Sequence, residues 1–86
     1  MRFQGAVVRE QGQTFAIVVV RSSVLASTSQ AQQAIASFGS VFPGMPVVLM
    51  AQDSRGRPTY YGRSDISRFL SKVPLQSIPW REYTLQ

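Results

Sequence analysis

The chain opens with apolar and polar residues in alternation and then crowds its apolar residues together. From Arg2 to Glu10, Phe3, Gly5 and Val7 stand against Gln4, Ala6 and Val8, the period-two pattern of a strand. Gln11-Gly12 offers a tight turn into a second strand over Thr14 to Arg21, so a β-hairpin is predicted. The TFAIVVV run of that second strand is apolar on both alternating faces, as is Val47 to Ala51. Strands of this kind belong inside a sheet that is covered on both sides, which makes the two runs neighbours.

Between them, Ser22 to Ala26 reads as a connector. Ser27 or Ser29 can then cap a helix that gathers Ala31, Ala34, Ile35 and Phe38 on one face and ends at Gly39. This connection is long enough for a right-handed crossover, so the strands Thr14–Arg21 and Pro46–Gln52 can run parallel. The loop SVFPGM, Ser40 to Met45, tucks Val41 and Phe42 under the helix.

Pro46 to Val73 reads without a gap as strand, turn, strand, helix. Val47 to Ala51 form a central strand, and the DSRG turn gives Gly56 the positive φ it adopts without steric cost. Arg57 to Tyr61 return as a strand, and Gly62 breaks it. Ser64 can cap a helix in which Ile66, Phe69, Leu70 and Val73 recur at i, i+3, i+4 and i+7, with Phe69 at the centre of the buried face, until Pro74 stops it. Pro79 prevents further helix, leaving Trp80 to Leu85 as a short edge strand or an extended arm within 75–86. The expected fold is α+β: one small domain over residues 1–86 in the order ββαββα(β), with a mixed four- to five-stranded sheet and two helices. A chain of 86 residues hides roughly 60 to 65% of its unfolded surface, enough for a single modest core.

Met45-Pro46 before an apolar strand, a hairpin ending in Tyr61-Gly62 and a helix starting at Ser64 resemble the carboxyl-terminal half of thioredoxin-like domains. The resemblance covers about a third of the chain. Too few elements precede it for the complete fold, and without cysteine it implies no redox activity.

Composition removes most chemistry. The chain has no cysteine and no histidine, which excludes disulfides, thiol redox reactions, Cys/His zinc sites and every imidazole-dependent catalytic arrangement. Only Glu10, Asp53, Asp65 and Glu82 could supply carboxylate catalysis or a metal site, and they do not cluster in the sequence. Asp53 opens a turn, while Asp65 in a first helical turn and Lys72 in a last one complement the helix dipole. No GxGxxG, Walker A or GxSxG pattern occurs. The protein is therefore expected to be no enzyme and to carry no metal or cofactor. No apolar run reaches the ~20 residues of a membrane span, and Met1 to Gln4 begins no signal-peptide core, so no membrane association and a cytoplasmic location are expected.

The basic charge and the uncharged middle of the chain each suggest a binding surface. The net charge of +5 comes almost wholly from arginine, whose guanidinium forks onto carboxylate or phosphate and stacks on aromatic rings. Alternation from Arg57 onward sets Arg57, Thr59, Tyr61 and Arg63 on one face, with Arg55 and Arg68 nearby. Such a row could hold a phosphate backbone while Tyr61 stacks on a base; equally, arginines along an edge blunt aggregation. The interval from Ser22 to Gln52 contains no charged residue, and Gln30, Gln32, Gln33 and Ser37 form a neutral helix face of the kind found in protein interfaces. Two doubly apolar strands suggest more apolar surface than two short helices can cover. The leading expectation is a non-catalytic protein-interaction module that associates with itself as a homodimer or docks on another protein. Gln30, Gln33, Ser37 and Trp80 are the interface candidates, although Trp80 could simply cover a sheet face. Nucleic-acid binding through Arg55, Arg57, Tyr61, Arg63 and Arg68 is the alternative.

Overall fold

The computed structural model describes residues 1–10 and 12–85. The expected hairpin turn therefore falls partly on Gln11, outside the described residues; its other member, Gly12, has φ +78°. Strands β1 (Arg2–Glu10) and β2 (Gln13–Val19) flank this turn and pair antiparallel from Gly5↔Val18 to Glu10↔Gln13. Two helices follow, α1 (Ser22–Leu25) and α2 (Thr28–Phe38), before β3 (Val47–Gln52), β4 (Pro58–Tyr61), α3 (Ser64–Leu70), a 3-10 turn at Leu75–Ser77 and β5 (Arg81–Thr84). The sheet has five strands in the order β4-β3-β2-β1-β5. β2 and β3 run parallel, from Ala16↔Val47 to Val19↔Met50, and the other neighbours are antiparallel. The protein is thus a small α+β domain with a mixed sheet, and Trp80 to Leu85 contributes an edge strand rather than a free arm. The strand, turn, strand and helix expected after Met45 are all present.

Period-two alternation sorts the side chains onto two cores. On one face, Ala16, Val18, Val47 and Leu49 meet Ala31 and Phe38 of α2 and Phe42 of the loop below it. Phe3 centres an aromatic group there, with ring centroids 4.6 Å from Phe38 and 5.7 Å from Tyr83. Such pairs add about 0.5 to 1.5 kcal/mol each beyond the area they bury. On the other face, Ala6, Phe15, Ile17, Val48 and Met50 meet Ile66 and Leu70 of α3 and Ile78. The indole of Trp80 closes this side, its Nε1 donating to the Leu75 carbonyl at 3.0 Å. Close approach at Gly62 lets the chain cross β3, since a Cβ there would lie 2.9 Å from Val48 Cγ2.

Several expectations require correction. The connector Ser22–Ala26 contains a helical turn, α1, whose partly buried Val24 and Leu25 pack onto the α2 side of the sheet. Of the two candidate caps of α2, Ser27 takes the position as expected, its side chain accepting from the Gln30 amide at 3.3 Å. Ser64 does not cap α3: Arg63 occupies the cap position, and Ser64 is the first helical residue. Phe69 is not central to the buried face of α3. Ile66 (3% exposed) and Leu70 (1%) hold that place, while Phe69 sits half-buried at the rim, edge-on to Phe15. The apolar surplus expected to drive dimerisation is also small. Among the described residues, Met1 and Val7 are the only exposed large hydrophobics, because α1, the loop around Phe42 and the segment Leu75–Trp80 add cover beyond the two main helices.

Candidate functional site: the open edge of β1

The sequence-derived candidates do not assemble. Past Tyr61 the alternation of β4 stops, because Gly62 turns the chain into α3. Tyr61 lies on the α2 face, half-buried against that core. Arg63 leaves the row for the α3 face, where Nη2 and Nε grip Asp65 at 2.7 and 3.2 Å. With the Gln13 amide oxygen facing the guanidinium, that oxygen accepts from Arg63 Nη1 at 2.8 Å. This fork holds the Asp65 carboxyl below the usual carboxylate range, the hydrogen bond from Arg63 being the main cause. Arg57 stands at the other end of β4, so the two arginines bracket the strand instead of lining it. Arg55 and Arg57 are exposed on the β3–β4 turn, which Asp53 fixes by accepting from their amides at 2.8 and 2.9 Å. Arg68 is exposed on α3.

The interface candidates divide as well. Gln30, Gln33 and Ser37 are exposed along the outer face of α2, while Trp80 packs into the α3-side core across the sheet. They form no common surface. Three of the four carboxylates have local roles: Asp53 in the turn, Asp65 on Arg63 and Glu82 3.3 Å from Arg2. Among the described residues no group of three or more acidic side chains gathers. Tyr60 packs on the α3 face, and burial raises its phenol above the ordinary tyrosine value.

What the sheet leaves available is a strand edge. β1 spans nine residues, but β5 pairs only with Arg2 to Gly5. Met1 and Leu85 exchange both backbone hydrogen bonds, at 3.1 and 2.8 Å, which sets the parity of the β1–β5 ladder. Phe3 and Gly5 therefore direct their N–H and C=O groups toward β5, and Val7 and Arg9, two and four residues on, direct theirs to the same side, where β5 has ended. Ala6, Val8 and Glu10 direct theirs inward to Ile17, Phe15 and Gln13. Before β5 the chain bends away: Trp80 N–H donates to the Ile78 carbonyl at 2.9 Å, and Ile78 and Trp80 turn into the α3-side core. No backbone hydrogen bond among the described residues joins this segment to Val7 or Arg9.

A ledge results, with two unpaired backbone positions and a shallow groove of about 300 Å³ lined by Val7, Pro79, Arg81 and Tyr83. Arg9 and Arg81 share the α2 face with Val7, as their parity with Phe3 and Tyr83 requires, and both are exposed. Neither has an ion-pair partner among the described residues. Glu10 and Glu82, one position removed in each strand, alternate to the opposite face.

The sheet's other edge is blunted. The Asp53 amide donates to the Arg57 carbonyl at 2.9 Å, so Thr59 and Tyr61 pair inward and Pro58 and Tyr60 face out, Pro58 with no N–H to offer. Val7, Arg9 and Arg81 were not singled out from the sequence. The available signal was the mismatch between a long first strand and a last strand that Pro79 keeps short. No family model matches this chain, and neither does any curated protein or solved structure.

Proposed function

We propose that the protein is a small non-catalytic interaction module that binds an extended segment of another protein by strand addition to the open edge of β1. The observation that carries this reading is the pair of outward-facing backbone positions at Val7 and Arg9, on a strand otherwise fixed from both sides. Docked chain at such an edge gains main-chain hydrogen bonds from the ledge and side-chain specificity from the residues on either face. The rigidity of β1 supports it, since Ala6, Phe15 and Ile17 anchor the strand from the α3 side and little ordering cost falls on the module. Selection from a displayed library of random peptides tests it. Selected peptides should bind the wild type, slow amide exchange at Val7 and Arg9, and lose binding to Val7→Pro, which removes the outward donor. Selected peptides that bind Val7→Pro equally well would refute the reading.

One observation favours a second reading, in which the partner is nucleic acid: Arg55 and Arg57 project from a turn whose backbone Asp53 holds. Support for that reading would be binding to single-stranded oligonucleotide that weakens with salt. Combining Arg55→Ala with Arg57→Ala should then flatten the log–log salt dependence by about one unit for each phosphate that the variant no longer neutralises.

A further inference from the structure

The two faces of the ledge differ in chemistry, and the difference specifies its occupant. On the α2 face, Val7 lies in a row with Arg9, and Arg81 stands at the step where β5 ends; no acid shares that face of β1 or β5. On the α3 face the neighbours are apolar as far as Val8, with the exposed carboxylate of Glu10 at the far end: Ala6 and Ile78 are buried, and Val8 and Trp80 are half-buried. A strand laid beside Ala6 to Glu10, about 4.8 Å away, would send alternate side chains to these two environments. We infer that the partner is an extended segment alternating acidic and apolar residues, with its carboxylates between Arg9 and Arg81 and its apolar side chains against Val8 and Trp80. This rests on the strand-addition reading and adds the chemistry of the partner.

A second copy of this chain fits poorly. It would bring another +5 of charge to the ledge, including its own Arg9, and no carboxylate on the face that needs one. The ledge of β1 also differs from the outer edge of β5, where parity with Tyr83 and Arg81 leaves Glu82 and Thr84 facing out, and Glu82 is already paired with Arg2.

The test uses a synthetic nonapeptide alternating glutamate with valine, and the same peptide with lysine in place of glutamate, titrated into isotope-labelled protein. The glutamate peptide should shift and protect the amides of Val7 and Arg9, bind at least about tenfold more tightly than the lysine peptide, and weaken with salt. Arg9→Glu with Arg81→Glu, both exposed changes, should reverse that preference. Equal binding of the two peptides at Val7 and Arg9 would overturn the acidic partner and leave strand addition intact. Binding of neither would overturn both. Single-stranded oligonucleotide perturbing Val7 and Arg9 more strongly than the glutamate peptide would replace the acidic segment with nucleic acid and overturn the inference.

Discussion

Proline substitution at adjacent positions separates the two sides of β1. Val8 is in a hydrogen-bonded pair with Phe15, so Val8→Pro removes a ladder donor and leaves the carbonyl of Phe15, a residue only 3% exposed, without its partner. An orphaned buried acceptor costs about 1 to 3 kcal/mol. Reshaping the half-buried Val8 side chain adds up to about 1 kcal/mol, giving about 1 to 4 kcal/mol in all. For a domain of this size each 1 kcal/mol moves the thermal midpoint by about 4 to 8 °C, so Val8→Pro should lower Tm by at least about 4 °C. Val7→Pro removes a donor that faces solvent, at a residue 36% exposed. Proline is tolerated at such edge positions, and its cost should stay at about 1 kcal/mol or less. Circular dichroism melts and urea denaturation of the two variants provide the comparison. If Val7→Pro is as destabilising as Val8→Pro, the Val7 donor points into the sheet and the ledge does not exist.

Leu70→Ala should cost about 2 to 5 kcal/mol and Phe69→Ala less than that, since Leu70 is fully enclosed and Phe69 lies at the rim; urea midpoints at constant m value compare them. Tyr60→Phe should leave the midpoint unchanged or raise it, because the Tyr60 hydroxyl is buried and makes no hydrogen bond within the protein. Asp65 should titrate below an ordinary carboxylate in an NMR pH series, and Arg63→Ala should return it. Because its folded pKa is depressed, the stability it contributes is present above the ordinary carboxylate pKa and is lost as pH falls through the depressed value.

Most of the architecture was legible because burial on both faces leaves a distinctive pattern. TFAIVVV and Val47 to Ala51 are apolar on both faces, and they became the adjacent parallel strands β2 and β3. Helical spacing found the stripe of α3 but could not centre it, since Ile66, Phe69 and Leu70 all satisfy the period and only the placement of the helix against Val48 and Phe15 decides which is enclosed. The arginine row failed for a related reason: period two holds only while the chain stays extended, and the approach of Gly62 to Val48 ended β4 before Arg63. The expected surplus of apolar surface rested on counting helices, whereas Phe42, Ile78 and Trp80 cover the sheet from irregular segments. The ledge itself depends on where β5 stops along β1, a register that hydrophobic pattern does not encode.

Native-state amide exchange of the free protein at micromolar concentration, read residue by residue along β1, tests the open edge most directly. Exchange should alternate: Ala6 and Val8, whose donors enter the ladder with β2, should be protected by several orders of magnitude, while Val7 and Arg9 should exchange close to the rate of an unstructured chain. Uniform protection from Ala6 to Arg9 would mean that the outer side of β1 is already covered, by a second copy or by the chain itself, and would contradict a free docking edge.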